Sequence, residues 1–440
     1  MFVWYCYCSC FCMDYLNVTF DKLISKQNIF LTGGAGVGKT TITRKIIELY
    51  EEDAKKVAKL ASTGMAATLI NGQTLHSFLD LGIASSLVEL EKNGKYEIKK
   101  KIKKLISSMD LIVIDEISMV SDELFEMIRL RLIQAGFKGS LLVVGDFLQL
   151  PPVVRGYGEV KFAFESEAWS EFEFETIELT HIYRTDDKDF IELLHNIRFG
   201  FVDENIHNKL NSYIKPMPED LSDFTFLFGK NDSSARHNKA QLSFIESELF
   251  IKEAQIIKHL KTLKDVEVDR FMADARIEKE LFLKIGVPVL FTRNSWNYFN
   301  GERGVVVNVD ERFVYVQKND GKVIKLEAVA QDKTRWKEKI IDGKKEMVEE
   351  SVFSIYQYPI KLAFAITIHK SQGMSIEDLI IQTNEIFAPS QFYVALSRSS
   401  NPKRLNLIAP SRQWYELAFV NHKALEFVTT EELDSKSSLE

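Results

Sequence analysis

The sequence predicts an α/β protein of two tandem domains, each built on a parallel sheet covered by helices on both faces. Three observations predict it. At 440 residues the chain is too long for one ordinary core and suits two or three domains. From Asn28 onward, β-like runs alternate with segments whose apolar residues recur at intervals of three and four, as on an amphipathic helix. The runs themselves are almost wholly apolar, as strands buried on both faces require.

In the first set, NIFLTGG, VAKLAST, DLIVIDE and SLLVVGD read as strands, and ITRKIIELYEE and DELFEMIRLRLIQ as helices. After about Glu178 the alternation resumes. DFTFLFGK, GVPVLFT, AFAITIH, DLIIQT and LNLIAP are the second set of strands, and DFIELLHNIRFG is a helix. These patterns place a first domain at 28–177 and a second at 178–429, with a leader at 1–27 and a polar, frayed tail at 430–440. Two segments fit neither sheet. Residues 82–107 interrupt the first domain with a lysine-rich stretch that includes Lys95, Lys99, Lys100, Lys101, Lys103 and Lys104. Residues 300–356 carry short alternating pieces (GVVVNVD, RFVYVQK, KVIKLEA) separated by NDG and IDGKK. Asp-Gly supplies the positive φ of a hairpin turn, so a small antiparallel barrel is expected there.

Composition excludes some functions and leaves others open. Hydrophobic residues at 45% with 27% charged describe a globular protein rather than a disordered one. A net charge of −7 argues mildly against nucleic acid, yet a basic groove can sit on an acidic body. No apolar run reaches the roughly 20 residues of a membrane helix. The N-terminal MFVWYCYCSCFCM lacks the basic flank and cleavage site of a secretory signal. All four cysteines, Cys6, Cys8, Cys10 and Cys12, lie in it. They read as soft-metal thiols, as part of a poorly ordered leader, or as residues ahead of a real start at Met13. The cysteine-free body suits a reducing cytoplasm.

The chemistry announces itself at Gly33–Thr40. GGAGVGKT, after a strand and before a helix, is a phosphate-binding loop. Its backbone N–H groups, over Gly33, Gly34, Ala35, Gly36, Val37, Gly38, Lys39, Thr40 and Thr41, would turn toward phosphates at a helix N-terminus. Lys39 would reach the β- and γ-phosphates, and the Thr40 hydroxyl would bind Mg²⁺. LIVIDE then ends in two carboxylates: Asp115 to complete the Mg²⁺ shell, Glu116 to orient or deprotonate water. After SLLVVGD, Gln149 could touch both γ-phosphate and water, although a Gln before prolines is equally an ordinary loop residue.

Taken in order, LTGGAGVGKT, IDEISMVS, VVGDFLQLPPV, LTHIYRT, TIHKSQGMS and FYVALSR resemble the motifs of superfamily 1 DNA helicases, in the wording of the petite-integration-frequency (PIF) group. The resemblance runs from about Asn28 to Ala409 and also covers ASTGMAA and GQTLHSF. It implies two RecA-like domains with ATP in the cleft between them, and single-stranded DNA as the track. It implies that Arg184 and Arg398 reach the γ-phosphate from the second domain, where an inserted guanidinium can be worth about 10³–10⁵ in rate. Either arginine alone would read as a surface ion pair. It further implies that Thr63, His76, Ser77, Thr367, His369, Lys370 and Ser371 contact the DNA backbone, while Gln372 and Gly373 line the ATP side. Residues of these types position DNA without reading its bases. Phe78 reads as core rather than as a stacking platform. The lysine-rich insertion falls at the family's strand-separating wedge, and the barrel at its SH3-like subdomain.

The chain departs from the family in its first motif. A Leu-Asn-x-x-Gln segment is usual, and LNVTFDKLISKQNIF has no Gln at that offset, Gln27 lying too near the strand. Nucleotide selectivity is thereby left open. The expectation is a monomeric ATP- and Mg²⁺-dependent helicase moving 5′→3′ on single strands and unwinding 5′-tailed or forked duplex. It would be cytoplasmic, or nuclear or mitochondrial in a eukaryote. The alternative is an ATP-switched remodeller or translocase that separates no strands.

Overall fold

The computed structural model describes residues 14–437 except 64–65, 68–69, 154–158, 219–220, 222, 260–262, 276, 294, 299 and 342–343. The four cysteines lie outside the described residues. Residues 14–24, expected to be part of a leader, form a helix instead. Its Leu16 and Leu23 are buried, and Phe20 meets Tyr50 edge-on at 5.6 Å.

The first sheet is wholly parallel. Its strands are β1 (Ile29–Thr32), β2 (Val57–Ala61), β3 (Gln73–Thr74), β4 (Leu111–Asp115), β5 (Ser140–Val144) and β6 (Glu175–Glu178). They pair in the order β3-β2-β4-β5-β1-β6. Strand residues divide alternately between two apolar clusters. Ile29, Leu31, Val113, Leu142 and Val144 pack with Ile42, Ile46 and Tyr50 of helix Lys39–Glu52. Phe30, Ile112, Ile114, Leu141 and Val143 pack on the other face with Phe125 and Ile128 of helix Asp122–Ala135. Continuous apolar strands are the consequence of burying both faces.

A second parallel sheet holds β7 (Thr225–Phe228), β8 (Ala365–Thr367), β9 (Leu379–Ile381) and β10 (Leu405–Leu407), in the order β8-β7-β9-β10. One face meets Phe190, Leu193, Leu194 and Ile197 of helix Lys188–Arg198 and Phe392 of helix Gln391–Leu396. Two α/β layers with a P-loop in the first are a RecA-like core.

Between β7 and β8 the chain makes antiparallel structure from Leu249 to Leu362, broader than the hairpin signals at 300–356. Pro288–Phe291, read in the sequence as part of the second parallel sheet, pairs antiparallel with Arg303–Val309 and Ile360–Leu362. Strands Val329–Ile341 and Lys344–Gln357 form a long hairpin. The lysine-rich segment folds as helices Leu87–Lys92 and Lys100–Ser107, whose Leu90, Leu105 and Ile106 enter the first core. The C-terminus does not finish in the second lobe. Helix His422–Ser437 returns to the first, with Phe427 stacked on Phe164 at 4.3 Å. Among the described residues, no helix is long and apolar enough to cross a membrane.

Candidate nucleotide cleft and candidate DNA interface

The loop after β1 is shaped by positive φ at Gly33 (130°), Gly36 (82°) and Gly38 (93°). A Cβ at Gly33 would sit 2.3 Å from the Leu179 carbonyl oxygen, so a side chain there is barred by backbone. The loop opens into a cleft of about 620 Å³ between the lobes. From the first lobe come Ala35 through Thr41, Asp115, Glu116 and Gln149; from the second come Gly373 and Arg398; Arg184 lies on the connection between them. The cleft also takes Arg44, Tyr183, and the Asn300–Arg303 turn, none of them singled out in the sequence. The NGERG string carrying that turn, with Gly301 at φ 85°, was the available signal. Gly33 and Gly34 are not among the lining residues. Their carbonyls instead accept the Lys39 ammonium at 2.7 and 2.8 Å.

Burial works against the charged forms of the groups that face the cleft. Burial lowers the proton affinity of Lys39 against the pull of Asp146, Glu116 and Asp115. It lowers that of Arg184, and that of Arg398, which the nearby Arg184 depresses further. Burial raises Asp115, and burial together with Asp115 raises Glu116. Cations that resist protonation and carboxylates that resist ionisation, side by side, mark a site suited to a polyanion with a metal cation. Arg184 donates to Ser375 Oγ (3.0 Å) and the Ser397 carbonyl (2.5 Å). Arg398 is buried and held by the carbonyls of Val394 (2.9 Å), Ser371 (3.3 Å) and Met374 (3.4 Å).

Two further residues went unnoticed in the sequence. The Tyr393 hydroxyl, kept protonated by burial that pushes it up to about 12, accepts the Ala35 N–H at 2.8 Å. Arg198 ion-pairs with Asp146 at 3.1 Å. Tyr393 lies inside FYVALSR; Arg198 had only its place at a helix end before Gly200 to signal it.

The residues expected on DNA separate into three groups. His76 and Ser77 line a second cleft, of about 960 Å³, between the first lobe and the long hairpin. There Lys333 donates to Ser77 Oγ (2.9 Å) and Gln73 to Thr334 Oγ1 (2.9 Å). Thr63, outside that cleft's lining, is half-buried, its hydroxyl accepting the Ala66 N–H at 3.2 Å. His369 and Lys370 are half-buried on the second lobe. Thr367 and Ser371 do not face outward as expected. Thr367 ends β8 pointing into the core, and Ser371 is fully buried, its hydroxyl donating to the Ile368 carbonyl at 2.7 Å. Gln372 is outside the nucleotide cleft's lining, with a buried Nε2 that has no partner.

Fold and cleft together define a two-lobed P-loop nucleotide hydrolase. The sequence profile described as PIF1-like helicase matches residues 17–208. An ATP-dependent DNA helicase Pif1 of Campylobacter jejuni is 39% identical over 419 residues, covering 91% of this chain and 93% of its own. The structure is similar to that of Bacteroides sp Pif1 in complex with ADP-AlF4, with a TM-score of 0.81 at 26% identity, over 96% of this chain and 97% of that one. Against Bacteroides Pif1 bound to ssDNA the TM-score is 0.63 with the same coverage. The chain belongs to the PIF1-like helicase family.

Proposed function

We propose that this chain is an ATP-dependent DNA helicase that moves 5′→3′ on single-stranded DNA and unwinds 5′-tailed or forked duplex, acting as a cytoplasmic monomer. The observation that carries the chemistry is the meeting of Lys39 with Arg398 and Arg184 in one cleft, all three depressed in proton affinity by burial. A triphosphate relieves all three at once. Lys39 would leave the Gly33 and Gly34 carbonyls for the phosphates, and the arginines would meet the γ-phosphate from the opposite side. Glu116 and Gln149 would orient the attacking water. Mg²⁺, held by Thr40 and Asp115, would neutralise charge developing on the phosphates. The buried carboxylates with raised pKa fit such a cation.

The second cleft is the proposed track. Six basic side chains (Lys95, Lys101, Arg270, Arg293, Lys333 and Arg335) face three acidic ones (Asp80, Glu267 and Asp332) there. A phosphate would take Lys333 from Ser77. His369 and Lys370 would hold the strand on the second lobe, directly after β8, so the segment between Thr367 and Ser375 joins the grip to the cleft. Arg398 bonds that same segment through the Ser371 and Met374 carbonyls, which couples nucleotide state to grip.

The test is DNA-stimulated ATPase and unwinding of a fork with a 5′ tail. Wild type should show both, and Lys39→Ala should lose both. Hydrolysis at wild-type rate by Lys39→Ala would remove the site assignment. ATPase without strand separation would leave a translocase.

A further inference from the structure

Arg198 is a buried cation that the hydrolytic scheme above does not use. It is the last residue of helix Lys188–Arg198, whose apolar face belongs to the second-lobe core. Its guanidinium leaves that core and crosses to Asp146, just past β5 of the first lobe. Nε lies 3.2 Å from Oδ2 and Nη2 lies 3.1 Å from Oδ1, while Nη1 lies 3.9 Å from Glu178 at the end of β6. Side-chain exposure is 7% for the arginine and 0% for Asp146, so water does not screen the pair. Burial would lower the arginine's proton affinity, but Asp146, Tyr393 and Glu178 raise it on balance.

Asp146 is also the acceptor for Gln149. Gln149 Nε2 donates to Oδ2 at 3.2 Å, the same oxygen that takes Arg198 Nε, and the Leu148 N–H donates to Oδ1 at 3.1 Å. Arg198 also packs on the phosphate loop, its Cδ lying 3.8 Å from where a Cβ on Gly34 would stand. A second-lobe cation therefore fixes a first-lobe carboxylate that in turn fixes the Gln149 amide.

We propose that Arg198 is a positioning residue for hydrolysis, setting the orientation of Gln149 through Asp146 and making it depend on how the second lobe seats on the first. This rests on reading the cleft as the ATP-hydrolysing site. With Arg198 docked, Asp146 Oδ2 holds the Gln149 Nε2, which leaves the amide oxygen to face the water. When the lobes part, Arg198 withdraws with its helix. The buried carboxylate then loses its cationic partner, and the Gln149 amide loses the orientation that the pair gave it. Replacing a buried pair by apolar groups is often neutral for stability, so the cross-lobe placement is the feature that needs a functional reason.

The experiment compares Arg198→Met, Arg198→Lys, Asp146→Asn, Gln149→Ala and the Arg198→Met/Gln149→Ala double variant as full chains, at saturating single-stranded DNA. Arg198→Met should lower kcat by about 10–10²-fold, as displaced catalytic groups do, with KM for ATP and ADP affinity within about threefold of wild type. Arg198→Lys should recover part of the loss. The double variant should be no slower than the slower single one, because both act through the same amide. Multiplying losses would overturn the proposal, as would a rise in KM with kcat intact. If Arg198→Met does not fold, the near-isosteric Asp146→Asn must show the same kcat-only loss, and wild-type kcat there would overturn it equally. A wild-type chain without DNA-stimulated ATPase would sink the reading of the cleft instead.

Discussion

Glu116 occupies left-handed backbone, φ 55° and ψ 50°, a conformation that costs a non-glycine residue about 1 kcal/mol or more. The strand has just ended at Asp115, and the turn aims the carboxylate into the cleft rather than along the sheet. Two buried acids side by side cannot both ionise easily, so Glu116 sits above the usual carboxylate range and titrates jointly with Asp115. The sign of the pH effect follows. A base must be ionised to act, and a raised pKa keeps it protonated to higher pH. ATPase kcat/KM should therefore fall on acidification through the raised range of the pair, burial and Asp115 having pushed Glu116 up to about 7. Glu116→Gln should abolish turnover while retaining nucleotide binding. A profile flat down to about pH 5 would discard Glu116 as the base. The acids, Lys39, Gln149 and both arginines were legible because each stands in a recognisable string. Arg198 and Tyr393 were not, since their partners lie 52 and 358 residues away and only the fold makes them neighbours. Thr367 and Ser371 fail for the opposite reason: their motif shows the segment but not which side chains turn inward.

At the scale of elements, the lysine-rich segment shows where charge misleads. Its lysines read as an insertion at the place of a wedge, yet Lys95 and Lys99 pair with Asp80, and Lys104 with Glu338 of the long hairpin. What ties the segment down is Arg131, 1% exposed on helix Asp122–Ala135. Its guanidinium donates to the carbonyls of Leu79 (3.0 Å), Lys95 (2.5 Å) and Tyr96 (2.7 Å). Removing it takes the guanidinium donor from the Leu79 and Lys95 carbonyls, while the Tyr96 carbonyl keeps Gln134 Nε2 at 3.1 Å. Arg131→Ala should therefore cost about 2–4 kcal/mol and expose residues 82–107 to proteolysis ahead of global unfolding. Denaturation midpoints with limited digestion check it, and an unchanged digestion pattern contradicts it. The sequence reader finds buried strands easily, because continuous apolar runs have few other uses. Strand Leu249–Glu253 alternates exposed and half-buried positions, and Gln255–Lys258 is exposed throughout, so neither stands out from a loop. The antiparallel region therefore looked smaller than it is. Its clearest landmark was Asn319-Asp320-Gly321, where Gly321 does take positive φ (82°).

For the whole molecule, net charge and local charge point in opposite directions. The body carries −7, which repels DNA at long range, while the second cleft is basic by six side chains to three. Screening decides between them: beyond a Debye length of about 8 Å in physiological salt the body's charge fades, whereas groups lining a cleft act at contact. Binding of single strands should then be driven by release of counterions from the few phosphates seated there. With about three to six phosphates neutralised, log K against log salt should have a slope of roughly −2 to −4 for single-stranded DNA. Lys333→Ala should make that slope shallower by about 0.7 and weaken binding alike for all sequences, because a phosphate contact carries no base information. The measurement is fluorescence anisotropy of a labelled oligonucleotide across a salt series, wild type against variant. A slope unchanged by Lys333→Ala would move the track away from this cleft. A sequence-dependent loss would make Lys333 a base reader, which its bond to Ser77 at the cleft wall does not suit.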